Sequence, residues 1–222
     1  MTYTVLARDR RAGLIGAATA SKSLAVGNAV LALRPGVGVV ASQAWTNRAL
    51  RGRLLDALEA GASAADAVAS VPDWDDRSDL RQVALLPVDG PGAAFSGRGT
   101  TVWSGDLVEL DVIVAGNVLT GGDVLAAMMA VMQSRSPIEV DSPDASARFG
   151  ALLAASLRAG QERGGDARGR QSAAVIVATT GHDADVRVDL RVDDHADPLA
   201  ELDRLIDLRG DDLRDRVSAR TV

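Results

Sequence analysis

The run LIGAATAS at residues 14–21 is made only of small and apolar side chains, with no charge in it. It is too short for a membrane span and reads as a β-strand buried on both faces. The rest of the composition points the same way. Of the 222 residues 47% are hydrophobic but only 3% are aromatic, so the interior has to be built from Ala, Val and Leu. Such side chains favour closely packed sheets and helices, and the length suits one large domain.

Strands read at 2–8, 14–21, 29–34 and 37–43, with Gly13 closing the first turn and Pro35-Gly36 the second. The period then changes. Leu50, Leu54, Leu55 and Leu58 recur at helical spacing and Gly61 ends that helix. Ser63 and Asp66 resemble a capping box for a helix over 64–70. Two short strands follow around the Gly/Pro turn of RQVALLPVDGPGAAFSG. DVIVAGN is a further strand, with a helix beginning near Asp123 and another over 145–162. AAVIVATT and ADVRVDLRV are the last strands, and Asp197-Pro198 opens the final helix. Residues 1–208 read as the domain, and 209–222 as a charged tail prone to fraying. Hairpins outnumber βαβ units, so the sheets should be mainly antiparallel with helices covering them. A four-layer αββα sandwich and a two-layer α+β fold both satisfy that order.

A net charge of −6 argues against nucleic acid and anionic membrane as partners. The absence of cysteine excludes a disulfide framework and thiolate metal sites. The start, MTYTVLARDRRAG, lacks an apolar signal core, and no run approaches a membrane span. The expectation is a cytoplasmic protein, with self-association favoured by its Ala/Val-rich surface.

Chemistry has few places to reside. Thr2 follows Met1, and removal of Met1 would leave a hydroxyl beside a free α-amine, an established pairing for acyl transfer. It also reads as an ordinary strand residue. Lys22 is the one lysine among 24 basic residues, and lysine, unlike arginine, is readily tuned by its surroundings. It reads equally as a solvated strand end. Asp189, Asp193, Asp194 and His195 lie close together in VDLRVDDHADP, as a set of metal ligands or as an ion-paired strand end before a helix cap. GGDARGRQS offers glycines and two arginines, Arg168 and Arg170, to a phosphate or carboxylate but lacks a Walker ending, and reads equally as a flexible loop into a strand. AGNVLTGGD sets Asn117 before a helix, where an oxyanion can be stabilised or a turn made. SQAWTN supplies Gln43, Trp45, Thr46 and Asn47 to a pocket, or Thr46 and Asn47 to a helix cap.

The strings TYTVLARDRRAGLIGAATASKSLAVGNAV, GVGVVASQAWTN, AGNVLTGGDVLAAM, GGDARGRQSAA and VDLRVDDHADPLAELDRL occur in that order. Together they resemble the bacterial family known as domain of unknown function 1028, grouped with the N-terminal nucleophile (Ntn) hydrolases. The likeness runs from residue 2 to about 208, with RGRQSAA and DLRVDDH its most specific parts. The chain departs at VLTGG and in a shortened stretch around 98–110.

The resemblance implies an αββα sandwich, Thr2 at the nucleophile position, and Lys22 as the lysine that proteasome-like members place near a terminal threonine. On that basis the expected activity is hydrolysis of a small amide, cyclic amide or short peptide. Asn117 or a backbone amide would bind the oxyanion. Gln43, Asn47, Arg170, Gln171, Asp193 and His195 would contact substrate, and no cofactor is implied. The alternatives are a non-catalytic ligand-binding protein on the same fold, or a metal-dependent hydrolase using Asp193, Asp194 and His195.

Overall fold

The computed structural model describes residues 2–100 and 103–220. The expected loss of Met1 lies outside the described residues. Chain order is β1 (Thr2–Asp9), β2 (Leu14–Ser21), α1 (Val26–Val30), β3 (Leu31–Arg34), β4 (Gly38–Ala44), α2 (Ala49–Glu59), α3 (Ala64–Ala69) and α4 (Val71–Trp74). There follow β5 (Arg81–Pro87), β6 (Ala93–Ser96), β7 (Ser104–Val108), β8 (Val112–Asn117), α5 (Asp123–Gln133), α6 (Ala145–Glu162), β9 (Ser172–Thr179), β10 (Val186–Val192) and α7 (Pro198–Arg220).

The strands form a six-stranded sheet, β10-β9-β2-β1-β8-β7, and a four-stranded sheet, β3-β4-β5-β6. Neighbouring strands run antiparallel throughout.

Side-chain alternation divides the interior. Tyr3, Val5 and Ala7 on one face of β1 join Met128 of α5, Leu153 and Leu157 of α6 and Leu202 of α7. Leu6, with Ile15, Ala17, Ile113 and Ala115, faces Val39, Ala41, Ala84 and Leu86 of the smaller sheet. Val40, Val83 and Leu85 on that sheet's other face pack on Leu50, Leu54, Ala67 and Val68. Every residue of β2 is buried, as a strand lying beneath helices on one side and a second sheet on the other must be. The fold is therefore mixed α+β, with two antiparallel sheets and helices packed on them.

Local chemistry sets the boundaries. Gly13 closes the β1–β2 turn at φ +62°, while Asp9 accepts from the Ala12 N–H at 2.9 Å. Ser63 caps α3 by accepting from Asp66 N at 3.1 Å, and Asp197 accepts from Ala200 N at 3.4 Å in the first turn of α7.

Three expectations change. Residues 26–30 form α1, so the strand read from 29 begins at Leu31. Val26 N donates to Ser172 Oγ at 3.1 Å and Ala25 N to the Asp193 carbonyl at 2.9 Å, and this docking overrides the segment's strand propensity. β7 carries no sequence signal, because SGDLV is a half-exposed edge strand without alternation. Residues 209–220 continue α7, where Leu213 is buried and Arg214 pairs with Asp144 ahead of α6. Among the described residues no helix is long and apolar enough to cross a membrane.

Candidate functional site

Antiparallel pairing sets the start of β1 beside the ends of β2 and β8. In the smaller sheet it sets the end of β4 and the end of β6 beside the start of β5. The two groups of strand ends meet, since Thr4 Oγ1 donates to Gln43 Oε1 across the sheets at 2.6 Å. Even-numbered residues of β1 face the smaller sheet, so Thr2 and Thr4 lie on the same face as Leu6.

Thr2 is 5% exposed and Asn117 1%. They are cross-strand partners. At the far end of the ladder Arg8 N donates to the Asp111 carbonyl at 3.0 Å. Alternation along that ladder makes Thr2 and Asn117 a hydrogen-bonded pair, so the Thr2 nitrogen faces the Asn117 carbonyl.

These strand ends carry a buried polar network in place of aliphatic packing. Thr2 Oγ1 donates to Ser21 Oγ at 3.4 Å, and the Thr4 and Thr19 hydroxyls lie 2.8 Å apart. Gln43 Nε2 donates to Gln82 Oε1 at 2.8 Å, and Asn117 Nδ2 donates to the same oxygen at 3.0 Å. Gln82 Nε2 reaches Ser96 Oγ at 2.8 Å, the Gly116 carbonyl at 3.0 Å and the Gly105 carbonyl at 3.1 Å. Asn117 Oδ1 is buried and has no hydrogen-bond partner among the described residues. An unpaired buried acceptor costs about 1–3 kcal/mol, which makes this oxygen the least satisfied atom of the network.

Backbone strain lies next to both amides. Val118, following Asn117, has φ +51°, and Ala44, following Gln43, has φ +70°. A β-branched residue in the left-handed region is a true outlier, and such strain gathers at functional positions.

Lys22 follows Ser21 but turns outward. It is exposed, and its ammonium donates to the Arg170 carbonyl at 3.4 Å. Its N–H binds Asp166 Oδ2 at 2.8 Å, and Asp166 Oδ1 accepts from Arg168 N at 2.9 Å. Asp166 thus ties the end of β2 to the loop before β9. A cavity of about 220 Å³ opens there, lined by Tyr3, Gln161, Gly164, Asp166, Gly169 and Arg170. Burial, then the Asp166 charge, pushes the Tyr3 phenol far above its ordinary value and keeps it neutral.

The other expected residues separate into those at the strand ends and those elsewhere. Gln43 belongs to the network with Asn117. Arg170 lines the cavity and pairs with Asp197 at 3.4 Å. Gln171 donates to Asp194 at 3.0 Å, and its carbonyl receives His195 N at 2.8 Å. Asp193 is exposed and contributes its carbonyl to Ala25 N. His195 Nδ1 accepts from Asp197 N at 3.0 Å. Asn47 has the local role: Oδ1 accepts from Ala49 N at 3.0 Å and Nδ2 donates to Asp75 at 2.8 Å, at the start of α2.

The metal reading fares poorly. Among the described residues no group of three or more His, Asp or Glu is placed to hold a metal ion.

Gln82, Thr4 and Thr19 belong to no motif in the sequence. The available signal was a polar residue in an otherwise apolar strand, as in RQVALLP, where Gln82 interrupts a run fit for a core.

Fold and strand-end cluster together define a mixed α+β protein with a buried hydroxyl–amide site between two antiparallel sheets. The family of unknown function DUF1028 matches residues 2–202, and the chain belongs to that family. The crystal structure of protein SPO2555 from Silicibacter pomeroyi, of the same family, is similar at 31% identity and a TM-score of 0.78, covering 92% of this chain and 87% of that one. No curated protein matches the chain.

Proposed function

We propose that this chain is an Ntn-type amidohydrolase on a four-layer αββα sandwich, acting on a small amide, cyclic amide or short peptide through Thr2. The observation that carries the reading is the position of the Thr2 hydroxyl. It is buried at the start of a central strand, between two sheets, among groups that donate and accept hydrogen bonds rather than among aliphatic side chains. The helices on the outer faces of the two sheets support the sandwich.

Once Met1 is removed, the Thr2 amine, with an ordinary pKa of about 7.7–8.0, is a base near neutrality. It takes the hydroxyl proton as Oγ1 attacks the amide carbonyl, and an ester forms as the C–N bond breaks. The ammonium returns that proton to the leaving nitrogen. Water then attacks the ester, losing one proton to the amine, which passes it to Thr2 Oγ1 as the ester C–O bond breaks and the acid is released. Lys22 and Arg170, both exposed and joined by the Lys22 ammonium on the Arg170 carbonyl, are the cations this reading assigns to negative charge on the substrate.

Intact-mass measurement and a β-lactone probe test this. The expected result is a mature chain lacking Met1, acylated at Thr2 by peptide mapping, with no labelling of Thr2→Ala. Retention of Met1 in labelled protein, or equal labelling of Thr2→Ala, overturns it.

A further inference from the structure

Gln82 is wholly buried and uses both ends of its amide. Its oxygen accepts from Gln43 and Asn117, while its nitrogen is committed to Ser96 and the carbonyls of Gly105 and Gly116. Those nitrogen contacts decide the orientation of the amide, since a flip would set its oxygen against two carbonyls. With Gln82 so oriented, Asn117 has to turn Nδ2 toward it, which leaves Asn117 Oδ1 without a partner among the described residues. That side chain stands on the same face as Thr2, its cross-strand partner. The strained residues Val118 and Ala44 sit directly after the two amides that Gln82 holds.

We propose that Gln82 is a positioning residue: it locks the Asn117 amide so that Oδ1 accepts a hydrogen from the Thr2 α-amine and holds that amine toward its own hydroxyl. The inference rests on the Thr2 reading above. The freed amine has one hydrogen for the Asn117 carbonyl and another for Oδ1, so processing supplies the partner that the buried oxygen lacks. Without Gln82 the Asn117 amide can rotate, and the amine loses its fixed geometry.

The test uses full-length protein released from a cleavable leader to begin at Thr2, with β-lactone acylation resolved into its binding constant and its maximal rate. Gln82→Met should lower the maximal rate at least tenfold while changing the binding constant less than twofold. Gln82→Glu should restore the rate to within about threefold, because a buried carboxyl stays protonated and keeps an oxygen toward Asn117 and an O–H toward the carbonyls. Ser96→Ala, which removes one anchor of Gln82, should give an intermediate loss and serves if Gln82→Met does not fold. Nitrogen-15 NMR of the Asn117 side-chain amide reads the positioning directly: resolved and slow to exchange in the wild type, averaged in Gln82→Met and in part in Ser96→Ala. A folded Gln82→Met with an unchanged rate, or with an unchanged Asn117 amide signal, overturns the inference. If wild-type Thr2 is not labelled while the amide signal responds, the nucleophile reading fails, and with it the catalytic half of the inference, while the positioning of Asn117 by Gln82 stands.

Discussion

Arg8 is 1% exposed, yet all of its guanidinium nitrogens are used, and replacing it by methionine isolates what they do. Nε binds Asp111 Oδ1 at 2.7 Å and Nη1 the Pro87 carbonyl at 2.6 Å. Nη2 binds the carbonyls of Gly90 at 2.5 Å and Leu110 at 2.7 Å. One side chain in the larger sheet therefore clamps the β5–β6 and β7–β8 turns. Arg8→Met keeps most of the volume and strands these acceptors. Loss of one partner of a buried charged pair costs about 3–5 kcal/mol. The lower end applies here, since Gly90 and Leu110 are exposed and can be rehydrated, and Asp111 retains Arg10 at 2.9 Å.

The assay is urea unfolding followed by the fluorescence of Trp45, Trp74 and Trp103. With a slope of about 2–3 kcal/mol per molar urea, a loss of about 3 kcal/mol lowers the midpoint by about 1–1.5 M. Arg8→Lys retains the charge but not the fork, and should fall between the two. A midpoint shift below about 0.3 M at an unchanged slope, corresponding to less than about 1 kcal/mol, would refute the clamp.

Two more outcomes follow from the geometry. The hydrogen bond from Arg81, helped by those from Asn47 and Arg77 N, holds the Asp75 carboxyl well below the usual carboxylate range. A depressed folded pKa stabilises the protein above the unfolded value of about 3.9, and that stability is lost as pH falls through the folded value. Melts from pH 7 to 2 should therefore show wild type exceeding Asp75→Asn at neutral pH, with the gap closing below about pH 4; a constant gap contradicts the assignment. Gly164 has φ +108°, and a Cβ there would lie 2.4 Å from Thr120 Oγ1. Gly164→Ala should cost about 1–3 kcal/mol in the same unfolding assay and displace the loop after Asn117; a loss under about 0.5 kcal/mol would show that the loop yields freely.

The sequence by itself determined most of the elements. Apolar runs such as LIGAATAS have no stable placement except between two covering layers, and Leu50, Leu54 and Leu55 repeat only on a helix. Ser63 and Asp197 announce their caps because capping chemistry is local. Thr2 and Asn117 were both visible as polar residues at the edges of strands.

What they face was not visible, because pairing partners are far apart in the chain. β7 and α1 are products of docking, since neither segment carries a period of its own. Asn47 was available to a pocket or a cap until Ala49 and Asp75 took its amide. Lys22 read equally as a solvated strand end or a site lysine, and only the loop before β9 supplied the Arg170 carbonyl to its ammonium. Gln82 had no local mark of importance beyond its polarity. Only the stacking of two sheets brought its amide between Gln43 and Asn117, and a buried amide must then be oriented by every group around it. Hydrophobic period and turn chemistry act over a few residues and can be read directly. The direction of a buried hydrogen bond depends on partners tens of residues away, and only the tertiary structure decides it.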